Sequence, residues 1–567
     1  MRITLLSKLS LALGAAALLA IAGPARAVTP PVSSSPDTDA FRTGGCTGCF
    51  LTQMTAAVVQ FSNITRVFRA CYANAGGGTK IVDDGSGCAD GTHGRIADFV
   101  VLQGTLKDKN TDPNGLGVPN GPALGEVTYR VSANGSGNGI GCAAASSPVG
   151  TGFLAPEGLD GVPGDADDAG GTGSFGVVGA GVNAGTATMS AAPLTACVNK
   201  TGIEKFDTIG TTTMSFHTPT TELCVVNFDL SGDGNVQNDQ TGAGTPSQFP
   251  LGSNIHTVSA TNETTNLKLT CDTAFSDLPT GDFLPPKAPY NGPDVFGAQI
   301  FKLVASRDVH SITGGADAKI HLNDPQIEGI FGDPANNSVC QLKHIGATSA
   351  ATSNVTACIR AAGSGTRETF RLTWMADTEG SKNQSEDTAG GSNGTVTACS
   401  SQVKEGGGLT LTGSKRVKVG NGNADVVNCL NAFSGGFGYV DADRFDDSTY
   451  AVVVEGVDPD SAIQAAPSTN LKQLVKCGHW RWWGPLAGGL GQHNGGASDF
   501  ITAHRGALKN SAVYANAVAY VPLGANTGVG FTKGATDGSY SIQFVPTSCP
   551  AAPPAEDTIS ASPTTLP

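Results

Sequence analysis

The sequence predicts an α/β protein in which short strands run into glycine-rich turns and then into helices. Two patterns predict it. Apolar, β-prone runs recur at residues 96–102, 127–131, 295–305 and 450–454, each bounded by Gly, Asn, Asp or Pro. Two glycine turns, at residues 44–50 and 363–366, lead into segments whose apolar residues recur at helical spacing. The first segment carries Leu51, Met54, Ala57, Val58 and Phe61; the second carries Phe370, Leu372 and Trp374. Strands alternating with helices in this way point to the α/β class.

The most informative stretch is residues 357–370, A-C-I-R-A-A-G-S-G-T-R-E-T-F. A β-prone approach ends at Ile359, Arg360 follows, and Ser364 or Thr366 is a natural N-cap for the helix after the turn. Such a turn aims backbone N–H groups, hydroxyls and the positive end of a helix at one point, which suits an anion. Arg360 adds a planar fork able to grip an oxyanion with two parallel hydrogen bonds.

The 567-residue chain opens with Arg2 and Lys8, an apolar run at residues 9–21, and Ala25-Arg26-Ala27. This is the pattern of a secretory leader cleaved after Ala27, so residues 1–27 are expected to be removed and the protein to be periplasmic or secreted. Residues 28–39 read as a Pro/Ser-rich lead-in and 549–567 as a disordered Pro/Ala/Thr tail. No later stretch is long and apolar enough to span a membrane, so the protein is not expected to be membrane-embedded. Fourteen cysteines in an exported chain point to disulfides. Cys46 and Cys49 read as a redox pair or as structural bridges. The net charge is −14, and the leader's three basic residues make the mature chain more acidic still. Such a chain is a poor nucleic-acid binder, so any anion must be held by local dipoles.

The remaining motifs are weaker. The G-x-G-x-G spacing at residues 135–139 follows a strand but lacks the setting of a dinucleotide site. Asp229, Ser231, Asp233, Asn235 and Gln237 have the spacing of a calcium loop, with Gly234 at its sixth position but Gln240 in place of the closing acid. Calcium there competes with a plain Gly/Asp surface turn, and no other cofactor is expected. Nine scattered histidines and the lack of H-E-x-x-H or G-x-S-x-G give no catalytic constellation, so an enzyme is not expected. Trp480, Trp482 and Trp483 read as core or as a contact patch.

R-x-x-G-S-G-T-x-x-x-F at residues 360–370 resembles the phosphate-binding subunit of phosphate ABC transporters, within the type 2 periplasmic-binding-protein superfamily. Segments 322–332, 275–277 and 437–440 and the late tryptophans fall in the family's order. The resemblance covers roughly residues 40–145 and 265–510. It implies a two-lobed α/β fold, with residues 40–295 and 441–548 in the first lobe and 296–440 in the second. A loop- and strand-rich insertion, about 143–265, interrupts the first lobe. It also implies an oxyanion, inorganic phosphate foremost, held between the lobes by Thr47, Ser136, Ser276, Asp277, Arg360, Ser364, Gly365 and Thr366. A membrane ABC transporter complex would be the partner. Asp277 would select phosphate, which has a proton to give a carboxylate; sulfate has none. The rival readings are a secreted structural or adhesion protein that keeps the fold without transport, and a secreted phosphatase.

Overall fold

The computed structural model describes residues 39–543, leaving aside residues 73–94, 145–151, 154–203, 218–255, 258–266, 278–293, 376–393 and several shorter loop segments. The leader, the tail and the calcium-type loop of Asp229, Ser231, Asp233, Asn235 and Gln237 lie outside the described residues.

The fold is mixed α/β, built on one fourteen-stranded sheet. Its strands, in chain order, include β1 (Asp39–Gly45), β2 (Phe61–Tyr72), β3 (Arg95–Leu106), β4 (Glu126–Ser132) and β5 (Thr273–Ser276). The chain continues with β6 (Asp294–Ser306), β7 (Val355–Arg360), β8 (Thr395–Ala398), β9 (Ser414–Gly420), β10 (Gly436–Asp441) and β11 (Trp483–Leu490). β1 lies between β4 and β5 and is parallel to both. β7 lies between β9 and β10 and is parallel to both. The two parallel groups are joined through β6 and β11, which pair antiparallel with each other; β11 pairs with β5 and β6 with β10.

The helices that bear on the site are α1 (Phe50–Val58), α2 (Ser136–Ala144), α3 (Asp324–Phe331), α4 (Gly365–Phe370), α5 (Asn423–Ala432) and α6 (Ser498–Lys509). Local chemistry sets several starts. Asn323 caps α3 and Gln326 reaches back to it, a reciprocal capping box with Pro325 in the first turn. Ser364, of the two candidates, caps α4 by accepting from the Arg367 N–H.

One expectation is corrected by tertiary packing. The helical spacing that ran to Phe61 stops at Val58, and Phe61 opens β2, paired with β3. The glycine-rich segment after β4 begins α2. Gly139 serves close approach: a Cβ there would sit 2.4 Å from the Gly45 Cα of β1. Trp480 and Trp482 are core, not a surface patch.

Three described disulfides join Cys46 to Cys49, Cys142 to Cys271 and Cys358 to Cys429; Cys340 and Cys477 are also disulfide-bonded. Cys46 and Cys49 therefore form a local bridge. Among the described residues, no helix is long and apolar enough to cross a membrane.

The core between sheet and helices contains a titratable group with a direct bearing on stability. His504 of α6 is fully buried, with its ring near Phe41 and Phe275. Tyr129 donates to Gln60 Oε1, so the Gln60 amide nitrogen faces Ala56 O and His504 Nδ1. His504 Nδ1 must then accept, which leaves the ring neutral with its proton on Nε2. Burial pushes the His504 pKa down to about 3. The unfolded chain, with a histidine near 6.5, binds the proton first as pH falls, so folding stability is lost from about pH 6.5 downward. Between pH 7 and pH 5 this single group is expected to remove about 2 kcal/mol. Denaturant titrations at both pH values check it: His504→Phe should flatten that part of the pH dependence.

Candidate functional site

In open α/β sheets, ligands bind outside the carboxyl ends of parallel strands. Each residue predicted to bind the anion lies there. β1 ends at Gly45, and the 3-10 turn Thr47–Cys49 follows. β4 ends at Ser132, and Ser136 opens α2. β5 ends at Ser276, directly before Asp277. β7 ends at Arg360, and the turn carrying Ser364, Gly365 and Thr366 follows.

These segments meet. Arg360, wholly buried, donates from Nη2 to Thr47 Oγ1 at 2.6 Å, across 313 residues of sequence. Asp277, also wholly buried, accepts from Ser136 Oγ at 2.6 Å and from Thr366 Oγ1 at 2.9 Å. The turns touch through backbone as well: Gly135 N–H donates to Gly45 O, and Gly137 N–H donates to Gly363 O. At Gly365 no side chain fits, because a Cβ would lie 1.6 Å from Asp277 Oδ1 and 2.7 Å from Ser136 Oγ. Ser276 is buried in β5, paired with Ala487 of β11, and contributes its position next to Asp277.

The hydrogen-bond inventory of these groups is suited to an acceptor-rich ligand. Ser364 Oγ accepts from the Arg367 N–H, which uses a lone pair and leaves its proton to donate. Thr47 Oγ1 accepts from Arg360, so its proton is likewise a donor. The Ser136 and Thr366 hydroxyls already donate to a carboxylate and can turn to another oxyanion. Asp277 is the carboxylate among these residues, and it accepts from two of the hydroxyls. Burial pushes its pKa above the ordinary carboxylate value; the two hydroxyls and the nearby Arg360 charge pull it back only in part.

Two further residues complete the cluster and were not singled out by the sequence. Asn423 opens α5 just after β9, and Asp441 ends β10. Arg360 Nη1 donates to Asn423 Oδ1 at 3.0 Å, and Asn423 Nδ2 donates to Asp441 Oδ2 at 2.5 Å. Their signal was positional: both stand at a strand's carboxyl end, as the predicted residues do. Tyr439 of β10 supports the arginine from below, accepting the Arg360 N–H at 3.0 Å and stacking on Phe370 at 4.7 Å. Among the described residues no group of three or more His, Cys, Asp or Glu is placed to hold a metal ion.

No family model and no curated protein matches the chain. Solved structures do. An ABC-type phosphate transport receptor from Vibrio cholerae is 14% identical, over 44% of this chain and 80% of its own, with a TM-score of 0.26. The chain is similar in structure to phosphate ABC transporter substrate-binding proteins. A phosphate binding protein from Stenotrophomonas maltophilia is 15% identical, over 49% of this chain and 74% of its own, with a TM-score of 0.27.

The raised pKa of Asp277 has a consequence for stability. The folded chain holds this proton more tightly than the unfolded chain, so stability falls as pH rises from the unfolded value near 4 through the raised folded one. Asp277→Asn removes that loss. In phosphate-free buffer the variant is expected to gain stability over wild type at pH 8, with the gain shrinking toward pH 4. Denaturation midpoints across that range measure it; an equal difference at both ends would contradict the assignment.

Proposed function

We propose that this is an exported solute-binding protein that captures an oxyanion, inorganic phosphate foremost, in a cleft between two α/β lobes. The observation that carries the reading is the buried cluster itself. Hydroxyl donors on Thr47, Ser136, Ser364 and Thr366, an arginine fork and the buried Asp277 carboxylate converge from four strand ends. Residues 40–295 and 441–548 would form one lobe and 296–440 the other, with the insertion at about 143–265 as an addition to the first. The leader at residues 1–27 would export the chain, and a membrane ABC transporter complex would receive the ligand.

The roles follow from donor and acceptor counts. Hydrogen phosphate placed among these residues would draw the hydroxyls of Ser136 and Thr366, the Arg360 fork, and the N–H groups at the start of α4. Its own proton would go to Asp277. Sulfate brings no proton and would set an oxygen against the carboxylate, an unpaired contact worth about 1–3 kcal/mol of discrimination. Binding relies on hydrogen bonds and local dipoles, as the net charge of −14 demands.

Calorimetric titration of the exported chain, refolded in phosphate-free buffer, tests the proposal. Phosphate is expected to bind. Arg360→Met, which keeps side-chain bulk, should weaken binding by about a hundredfold or more, since a bidentate charged contact is lost. Arg360→Lys should recover only part, because a point charge lacks the fork. Absence of phosphate heat in the wild-type chain, or unchanged affinity in Arg360→Met, would overturn the reading.

A further inference from the structure

The buried cluster contains more polar structure than an oxyanion needs to touch. Arg360 Nη1 donates to Asn423 Oδ1, and Asn423 Nδ2 donates to Asp441 Oδ2. All three residues are buried. The other Asp441 oxygen lies against the turn that carries Thr47: a Cβ on Gly48 would meet Asp441 Oδ1 at 2.5 Å. Thr47 in turn accepts from Arg360 Nη2. The result is a closed ring of Arg360, Asn423, Asp441, Gly48 and Thr47, drawn from β7, α5, β10 and the turn after β1.

The ring has a chemical logic. An asparagine amide in isolation can present either its oxygen or its nitrogen to a neighbour. An ionised carboxylate can only accept, so Asp441 fixes the Asn423 nitrogen on its own side. The Asn423 oxygen is thereby turned to Arg360, where only an acceptor is useful, since a guanidinium has no lone pair to offer. Asp441 thus acts on the arginine through the amide. The group that contacts Nη1 is neutral, so this contact orients the fork without cancelling its charge. Gly48 lets the carboxylate come this close to the Thr47 turn, so one carboxylate bonds to Asn423 and packs against the turn that carries Thr47.

We propose that Asn423 and Asp441 are positioning residues for the oxyanion site: Asp441 sets the Asn423 amide, and Asn423 sets the Arg360 fork. This rests on the oxyanion reading of the cluster. It assigns Asn423 and Asp441 no contact with the ligand, and it makes Gly48 a requirement of their packing.

Two measurements test it. The first needs no ligand. In ¹⁵N spectra of the arginine-labelled chain in phosphate-free buffer, the Arg360 Nη signals should be separate, because acceptors on both Nη1 and Nη2 block the flip about Nε–Cζ that would exchange them. Asn423→Ala should merge them. Signals that stay separate in the variant would overturn the positioning role, whatever the protein binds. The second is phosphate calorimetry. Asn423→Ala and Asp441→Ala should each lose about tenfold or more in affinity, the scale of a lost hydrogen bond to a charged group. Asp441→Asn still offers an amide oxygen to Asn423 Nδ2 and should restore most of the affinity lost in Asp441→Ala. Asn423→Asp places a carboxylate beside both Arg360 and Asp441. At low pH the two acids share a proton and mimic the amide; as pH rises the fork is neutralised, so the loss relative to wild type should grow from pH 5.5 to pH 8.5. A pH-independent deficit in Asn423→Asp, or wild-type affinity in Asn423→Ala, would overturn the proposal. If the wild-type chain takes no phosphate, the oxyanion reading fails, and the Nη signals still decide whether Asn423 and Asp441 fix the arginine.

Discussion

One buried carboxylate organises this protein. Asp277 sits at the end of β5 with no exposure to water, and it is gripped by Ser136, 141 residues before it, and Thr366, 89 residues after it. A carboxylate out of water is costly, and two neutral hydroxyls offset that cost incompletely, which is why its pKa rises despite the Arg360 charge nearby. A protein shaped for stability alone would not place an acid there. The surroundings yield to it: Gly365 carries no side chain because Asp277 and Ser136 fill the space. Desolvation cost concentrated at one point, with the neighbourhood built around it, is a mark of a functional group.

The covalent framework follows the same plan. Cys46–Cys49 closes the turn that holds Thr47. Cys142–Cys271 ties α2, which begins with Ser136, to the approach of β5, which leads into Asp277. Cys358–Cys429 ties β7, which ends in Arg360, to α5, which begins with Asn423. Each of these three described bridges joins or encloses elements that deliver a residue to the cluster. A site made of turns in a glycine-rich chain loses affinity if those turns must be ordered on binding, and cross-links that order them beforehand remove that loss.

Much of this was legible in the sequence, for identifiable reasons. The turn after β7 announced itself because an arginine, a small-residue turn and an N-cap serine occur within a few positions, and each part has its own physical signature. Asp277 was reachable only through its place in a familiar order of segments, since an acid after a strand is otherwise a turn. Asn423 and Asp441 carried no local signature; an asparagine before a helix and an aspartate after a strand are common, and their role exists only through contact with Arg360. The helix at Ser136–Ala144 was hidden because its glycines are poor helix formers alone, and one of them, Gly139, is there to let it pack on β1. Phe61 was drawn into the helical pattern by spacing, whereas strand pairing with β3 claimed it.

As proposed, Asp277 accepts a hydrogen bond from the protonated oxygen of a tetrahedral oxyanion. The most direct test is competition between phosphate and sulfate, measured in the wild-type chain and in Asp277→Asn. A phosphate preference of about tenfold to a hundredfold or more is expected in the wild type. In Asp277→Asn, whose amide can donate to an unprotonated oxygen, that preference should collapse toward parity. Equal affinities in the wild type, or a preference that survives the substitution, would contradict it.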